Sequence, residues 1–353
     1  MTMQRERKVL KKDLELLYQL YKYRVLSTSQ IRQIRGISKW YVHEKITELR
    51  NRGFIHTEAI VGNYLPNQRR QGNCHRISGK GISLLKEYGY DIQYTADDLK
   101  VAKQRLSYLL VANDLAIELK KYGWEYKDSR EVKNFMNLNR GDMFQGLLIN
   151  PDKTREYALY VFLKKVQANT LERIKQEVER SPFEDILIIA RGESSIESVL
   201  NAFKTVIKAG SIKVLPFRFA QMYLNNSNDN KRNHIAFLNS LGIEVLDDSP
   251  NKNVFEVNVS FDYIVRYNGE IMYFVDLLDN DLMKIHEIRR YRKESYERYK
   301  RKVLALTSPI KAHIEFHKQM LGSPSHIQYY IIDPNQIIEF VNALPNKNVF
   351  ENR

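Results

Sequence analysis

The 353-residue chain has a single cysteine, Cys74. That excludes an intramolecular disulfide and any cysteine-rich zinc site, and a reducing compartment is the natural home. No stretch approaches the roughly 20 apolar residues that a membrane-spanning helix requires. The opening residues, MTMQRERKVLKKDL, contain no apolar core of signal-peptide type. A cytoplasmic protein off the membrane is therefore expected. A glycine-rich phosphate loop is also missing, which excludes an ATPase of that type.

Basic residues, by contrast, are abundant. Lys and Arg number 56 against 42 Asp and Glu, a net charge of +14. The excess is concentrated: residues 1–90 hold 18 basic and 7 acidic residues, and residues 284–302 hold nine and three. Charge serving only solubility would be spread evenly, so two foci point to phosphate contacts and salt-sensitive affinity for nucleic acid. Membrane surfaces attract such patches too, but no amphipathic anchor or lipidation motif accompanies these. A hydrophobic content of 43%, with 22 Tyr and 15 Phe, marks a folded chain. The length allows two or three domains.

Residues 27–90 hold the most informative pattern. Ser27 followed by Gln30 is a capping-box start, with Ile31 and Ile34 as a buried stripe. Gly36 breaks that short helix, and Ser38 can cap the next. There Val42, Ile46 and Leu49 recur at i, i+4 and i+7, leaving Lys39, Trp40, His43, Lys45, Thr47 and Arg50 on the other faces. After Gly53, a strand over 54–60, a polar tip with Arg69 and Arg70, and a return strand over 74–78 form a hairpin. Asp13 to Val25 supplies a preceding helix. Helix, turn, helix and hairpin are the order of a winged helix-turn-helix, whose second helix enters the major groove while the hairpin tip touches backbone or minor groove. Cys74 would fill the inner face of the wing. The alternative is a small helical domain that docks protein; the local charge favours DNA.

A long helix over 98–121 connects this domain, residues 1–95, to the rest. Beyond it an internal repeat is visible. NDLAIELKKYGWEY at Asn113 and NHIAFLNSLGIEVL at Asn233 each read as a helix entering a strand. Asp142 and Asp262 each open a hairpin. Charged helices follow (170–180 and 284–302), then apolar strands (186–190 and 329–332) and further helices (195–204 and 336–344). The chain thus divides into units at 96–210 and 211–353. PNKNVFE also occurs twice, at Pro250 and Pro345, with no evident physical reason.

Strand, turn, strand with an acid on each, then a helix, is the core of the restriction-endonuclease-like fold. Its chemistry needs two carboxylates for Mg²⁺ or Mn²⁺ and a lysine in an acid-x-Lys spacing. Asp142 and Lys164 are the candidates in the first unit, but Phe162 stands where the second acid belongs. Asp262 and Asp276 are those in the second, but Leu278 stands where the lysine belongs. Both units are expected to be degenerate scaffolds, unless Lys164 meets Asp276 in a composite site. Aspartates at strand ends also serve as simple caps.

DLELLYQLYKYRVLSTSQIRQI, ITELRNRGFI, RISGKGISLL, NDLAIEL and the Asp142 hairpin together resemble the replication-relaxation family of plasmids and mobile elements, over residues 10–190. The resemblance implies a winged helix acting on mobile DNA. Family members usually carry an acid in the second hairpin strand, and Phe162 departs from that pattern. Rival constellations are weaker. His313 and His317 lie one turn apart and could share a metal, but no third ligand is indicated. His286 and Arg289 loosely echo tyrosine recombinases without a suitably placed tyrosine, and the His-apolar-His cluster of rolling-circle relaxases is absent.

The expected protein is α+β, with an N-terminal winged helix and two tandem nuclease-like α/β units. It would bind double-stranded DNA sequence-specifically for a plasmid, phage or integrated element, in replication, transfer or transcriptional control. The alternative is a metal-dependent nuclease or nicking protein. Neither metal nor cofactor is expected for the binding function. Arg289, Arg290, Arg292 and Lys293 would supply a second DNA-contacting surface or flank a homodimer.

Overall fold

The computed structural model describes residues 9–62, 64–65, 71–205, 209–226, 231–248, 259–322 and 325–343. Arg69, Arg70 and both copies of PNKNVFE lie outside these residues. The chain is mixed α and β, with three sheets among the described residues.

The described residues up to 90 give the three helices and the hairpin expected from their local signals, with a short strand and a further helix besides. They form α1 (Lys11–Tyr23), β1 (Leu26–Ser27), α2 (Thr28–Arg35), α3 (Lys39–Asn51), β2 (Ile55–Ala59), β3 (Asn73–Ile77) and α4 (Gly79–Glu87). Ser27 Oγ accepts from the Gln30 N–H at 3.2 Å, and Gln30 Oε1 accepts from the Ser27 N–H at 2.8 Å, closing the capping box. Gly36 ends α2 at φ 62°, a left-handed cap that glycine adopts without a Cβ penalty. Ser38 caps α3, and Val42, Ile46 and Leu49 are its buried residues. The strands pair antiparallel in the order β1-β3-β2, with Cys74 buried on β3. The connecting helix, α5 (Lys103–Lys120), starts later than 98. Asp98 is used in a local turn instead, its Oδ2 accepting from both Thr95 N (2.9 Å) and Thr95 Oγ1 (2.7 Å).

Next come β4 (Glu125–Asp128), α6 (Ser129–Phe135), β5 (Gly146–Ile149), β6 (Glu156–Phe162), α7 (Ala168–Arg180), β7 (Asp185–Ala190), α8 (Glu193–Ala202), β8 (Ser211–Pro216) and α9 (Phe217–Asn226). The remainder is α10 (Lys231–Ser240), β9 (Glu244–Asp247), β10 (Tyr263–Tyr267), β11 (Glu270–Leu277), α11 (Leu282–Ile288), α12 (Lys293–Tyr299), β12 (Val303–Thr307), α13 (Lys311–Leu321), β13 (Ile327–Ile331) and α14 (Pro334–Ala343). The two larger sheets are orders β4-β5-β6-β7-β8 and β9-β10-β11-β12-β13. Each has two antiparallel pairings followed by two parallel ones. The same topology therefore occurs twice in tandem.

Three expectations need correction. The counterpart of β7 is β12, whose five residues VLALT are all buried, and not the strand near 329, which matches β8. Since β8 pairs with β7, the first unit extends past residue 210. The charged helix expected over 284–302 is two helices, because Tyr291 turns inward between them. Its ring packs edge-on against Phe261 and Tyr273, and its hydroxyl donates to the Arg301 carbonyl at 2.7 Å. Burying that much aromatic surface outweighs one extra helical turn.

Alternation along the strands builds two cores. Tyr157, Leu159 and Val161 of β6 join α1 to α5 and one face of the second sheet, whereas Ala158, Tyr160 and Phe162 face the other core. The units meet at a polar seam where residues 279–281 lie against the edge strand β8. Asp281 Oδ2 accepts from Ser211 Oγ (2.7 Å) and its Oδ1 from the Ile212 N–H (3.2 Å). Asn280 Nδ2 donates to the Val214 carbonyl (3.1 Å), and Lys213 Nζ meets Asp279 Oδ2 at 2.9 Å. Burial works against the Lys213 charge, but Asp279, Tyr157 and Asp281 hold its ammonium above the usual range. An open sheet edge is closed by specific polar contacts rather than by another strand.

Asp279→Ala would leave Lys213 buried without its partner and cost about 3–5 kcal/mol of stability. Denaturant unfolding checks this, and Lys213→Met added to Asp279→Ala should restore most of the loss.

Candidate nucleic-acid interface and carboxylate site

On α3, Lys39, Trp40, His43, Thr47 and Arg50 are exposed, together with Tyr41 and Glu44. None of the side chains of Lys39, Trp40, His43, Glu44, Thr47 and Arg50 makes a hydrogen bond or ion pair within the described residues. Lys45 differs. It is half-buried, 3.0 Å from Asp13 Oδ1 and 2.8 Å from Glu48 Oε2. Burial works against its charge, but the bonds to Glu48 and Asp13 hold its ammonium above the usual range. Lys45 thus ties α3 to α1 and is withdrawn from the candidate contacts. Behind α3, His75 is buried between Thr28 Oγ1 (2.9 Å) and Thr57 Oγ1 (3.0 Å), and burial lowers it to about 4. The far basic group is placed otherwise than expected. Arg289, Arg290, Arg292 and Lys293 are all exposed, on the turn around Tyr291 rather than along one helix.

In the second unit, Asp262 and Asp276 do come together. Asp262 Oδ2 accepts from the Asp276 N–H at 2.7 Å. Lys284, reaching in from α11, stands 3.1 Å from each oxygen of Asp262 and 3.2 Å from the Asp276 carbonyl. Burial disfavours the Lys284 charge, but Asp262, Asp279, Asp276 and Asp281 outweigh it and hold the ammonium well above its usual range. His234 of α10 closes the group. Its Nε2 lies 3.1 Å from Asp276 Oδ2, off the line of a good hydrogen bond, and its Nδ1 is 3.0 Å from Tyr263 Oη. Burial lowers the imidazole's proton affinity, yet Asp276 and Asp262 raise it further, so the net shift is upward. Lys284 and His234 were missed because no fixed spacing joins them to the hairpin; the fold alone brings them there. Among the described residues no three metal-ligating side chains gather, and Lys284 sits where a cation would meet Asp262.

The first unit places its expected residues elsewhere. Gln145 N donates to the Leu159 carbonyl (2.7 Å) as Asp262 N does to Phe274 (2.9 Å). Val161 N donates to Gln145 Oε1 (2.8 Å) as Asp276 N does to Asp262. Gln145 and Val161 therefore occupy the two acid positions, not Asp142 and Phe162. Asp142 lies in the preceding loop and pairs with Arg180 at 2.5 Å, and Phe162 faces the opposite core. Lys164 is exposed and forms no ion pair among the described residues, so it makes no composite site with Asp276. On α5, Asp114 accepts from Gln30 Nε2 (2.7 Å) and Tyr64 Oη (3.0 Å), and burial pushes it up to about 6. The N-terminal unit thus covers this side of the first unit.

His313 and His317 are fully buried and do not lie on an exposed helix face. His317 bonds Thr307 Oγ1 (2.6 Å) and Asn280 Oδ1 (2.8 Å), and His313 bonds Ser308 Oγ (2.8 Å). His286 is likewise buried, lowered first by burial. Compared with known proteins, the chain matches no family model and no curated protein.

Burial lowers both His313 and His317 to about 3, against about 6.5 in an unfolded chain. Their contribution to stability is complete above about pH 6.5 and is lost as pH falls toward 3. Unfolding measured between pH 7 and 4 should show this decline, and His317→Gln should flatten part of it.

Proposed function

We propose that this chain binds double-stranded DNA sequence-specifically through a winged helix formed by residues 11–90. The observation that carries the reading is the face of α3. Its apolar side is buried, while the side chains of Lys39, Trp40, His43, Thr47 and Arg50 stand exposed and without hydrogen bonds among the described residues. A capped helix of that length, following a short helix across a glycine turn, fits the major groove. The basic excess of residues 1–90 supplies attraction to phosphate. The exposed cations around Tyr291 give a second basic patch. The resemblance to replication-relaxation proteins supports a role in replication, transfer or transcriptional control of a mobile element. The two α/β units then act as a nuclease-like scaffold.

Enrichment of random duplexes on the full chain should yield a defined motif. His43→Ala or Thr47→Ala should then alter the preference by about 1–3 kcal/mol per lost base contact. Binding that stays indifferent to sequence throughout would sink the reading.

One observation favours a second reading, metal-dependent cleavage of DNA by the second unit. Asp262, Asp276 and Lys284 supply the two carboxylates and the lysine that such chemistry uses, the lysine coming from a helix and not from the strand. Mg²⁺ or Mn²⁺ would have to displace or share Lys284 on Asp262. If the unit is only a scaffold, supercoiled plasmid incubated with either cation stays supercoiled. Nicked circles that vanish in both Asp276→Asn and Lys284→Ala would establish cleavage instead.

A further inference from the structure

The outer ridge of α3 carries two groups that phosphate binding does not explain. Residues 40, 44, 47 and 51 recur at i, i+4, i+7 and i+11, opposite the buried Val42, Ile46 and Leu49, and all four are exposed. Trp40 is 74% exposed, an aromatic surface that the fold does not use. The carboxylate of Glu44, beside the ridge of Lys39, His43 and Arg50, has no hydrogen bond or ion pair within the described residues. Facing a phosphate, that carboxylate would be repelled. Facing the floor of the major groove, it meets base edges, where a carboxylate accepts from the amino group of cytosine. The one apolar feature on that floor is the methyl group of thymine. Trp40 is the second residue of α3, at the end of a recognition helix that contacts base edges.

Resting on the reading of α3 as the recognition helix, we propose that Trp40 and Glu44 are specificity determinants that read a thymine methyl and a cytosine amino group close together. Four residues along a helix span about 6 Å, less than two base-pair steps of about 3.4 Å each. The two bases therefore lie within two positions of one another. Lys39 and Arg50, both on one flank of the ridge, bind the phosphates that hold this register.

The test compares motifs enriched from random duplexes by the full chain, by Trp40→Ala and by Glu44→Gln. Both residues are exposed, and unchanged far-UV circular dichroism confirms that each variant folds. The parent motif should contain a thymine and a cytosine within two positions. Replacing that thymine by deoxyuridine, which lacks only the methyl, should weaken parent binding about tenfold and leave Trp40→Ala unchanged. Glu44→Gln should lose the cytosine preference by a similar factor and shift toward adenine, with which an amide pairs. A parent motif that both variants retain overturns the assignment while DNA binding stands. Failure of the parent to enrich any motif overturns the underlying reading as well.

Discussion

Asp281 holds the two halves of the molecule and the carboxylate site in one arrangement. One carboxylate caps α11 through the Met283 N–H at 3.0 Å and accepts from Ser211 and Ile212 on the edge strand of the first sheet. The helix it caps delivers Lys284 onto Asp262. Lys213 and Asp279, paired beside it, offset each other's charge where water is excluded. The joint between units and the chemistry of the second unit are thus one network.

Two copies of one topology carry different chemistry. Gln145 and Val161 repeat the backbone bonds of Asp262 and Asp276 without their charges. An amide at Gln145 satisfies the same strand N–H that a carboxylate would, so the sheet survives the loss of the acid. What covers each copy differs as well. The first is overlain by Gln30 and Tyr64 of the N-terminal unit, both bonded to Asp114, while in the second His234 sits over Asp276.

The same contacts place the exposed face of α3. Gln30 is both the third residue of the α2 capping box and the donor to Asp114 and to the Leu110 carbonyl. Asn113, fully buried, donates to the Tyr23 and Val25 carbonyls. The N-terminal helices are therefore bonded to α5 at several points, and α3 is presented from a rigid base rather than from a tether.

Legibility followed the range of the interaction. Ser27, Gln30, Gly36 and Ser38 act within one helical turn, and Val42, Ile46 and Leu49 follow a fixed period, so the order of α1, α2, α3 and the hairpin could be read directly, while β1 and α4 were not read. The tandem order of helix, hairpin and strand was visible for the same reason. Tyr291 splitting the charged helix was hidden, because its gain comes from Phe261 and Tyr273 in the chain's other elements. So was the slip from Asp142 to Gln145, since strand register depends on which N–H faces which oxygen across the sheet. Lys45 counted as a free cation until Asp13 of another helix reached it. Lys284 and His234 became partners of Asp262 and Asp276 only when α10 and α11 packed around β10 and β11. Sequence determined what local backbone bonding and periodicity dictate; tertiary structure decided which charges meet, because those pairings join residues that spacing along the chain does not relate.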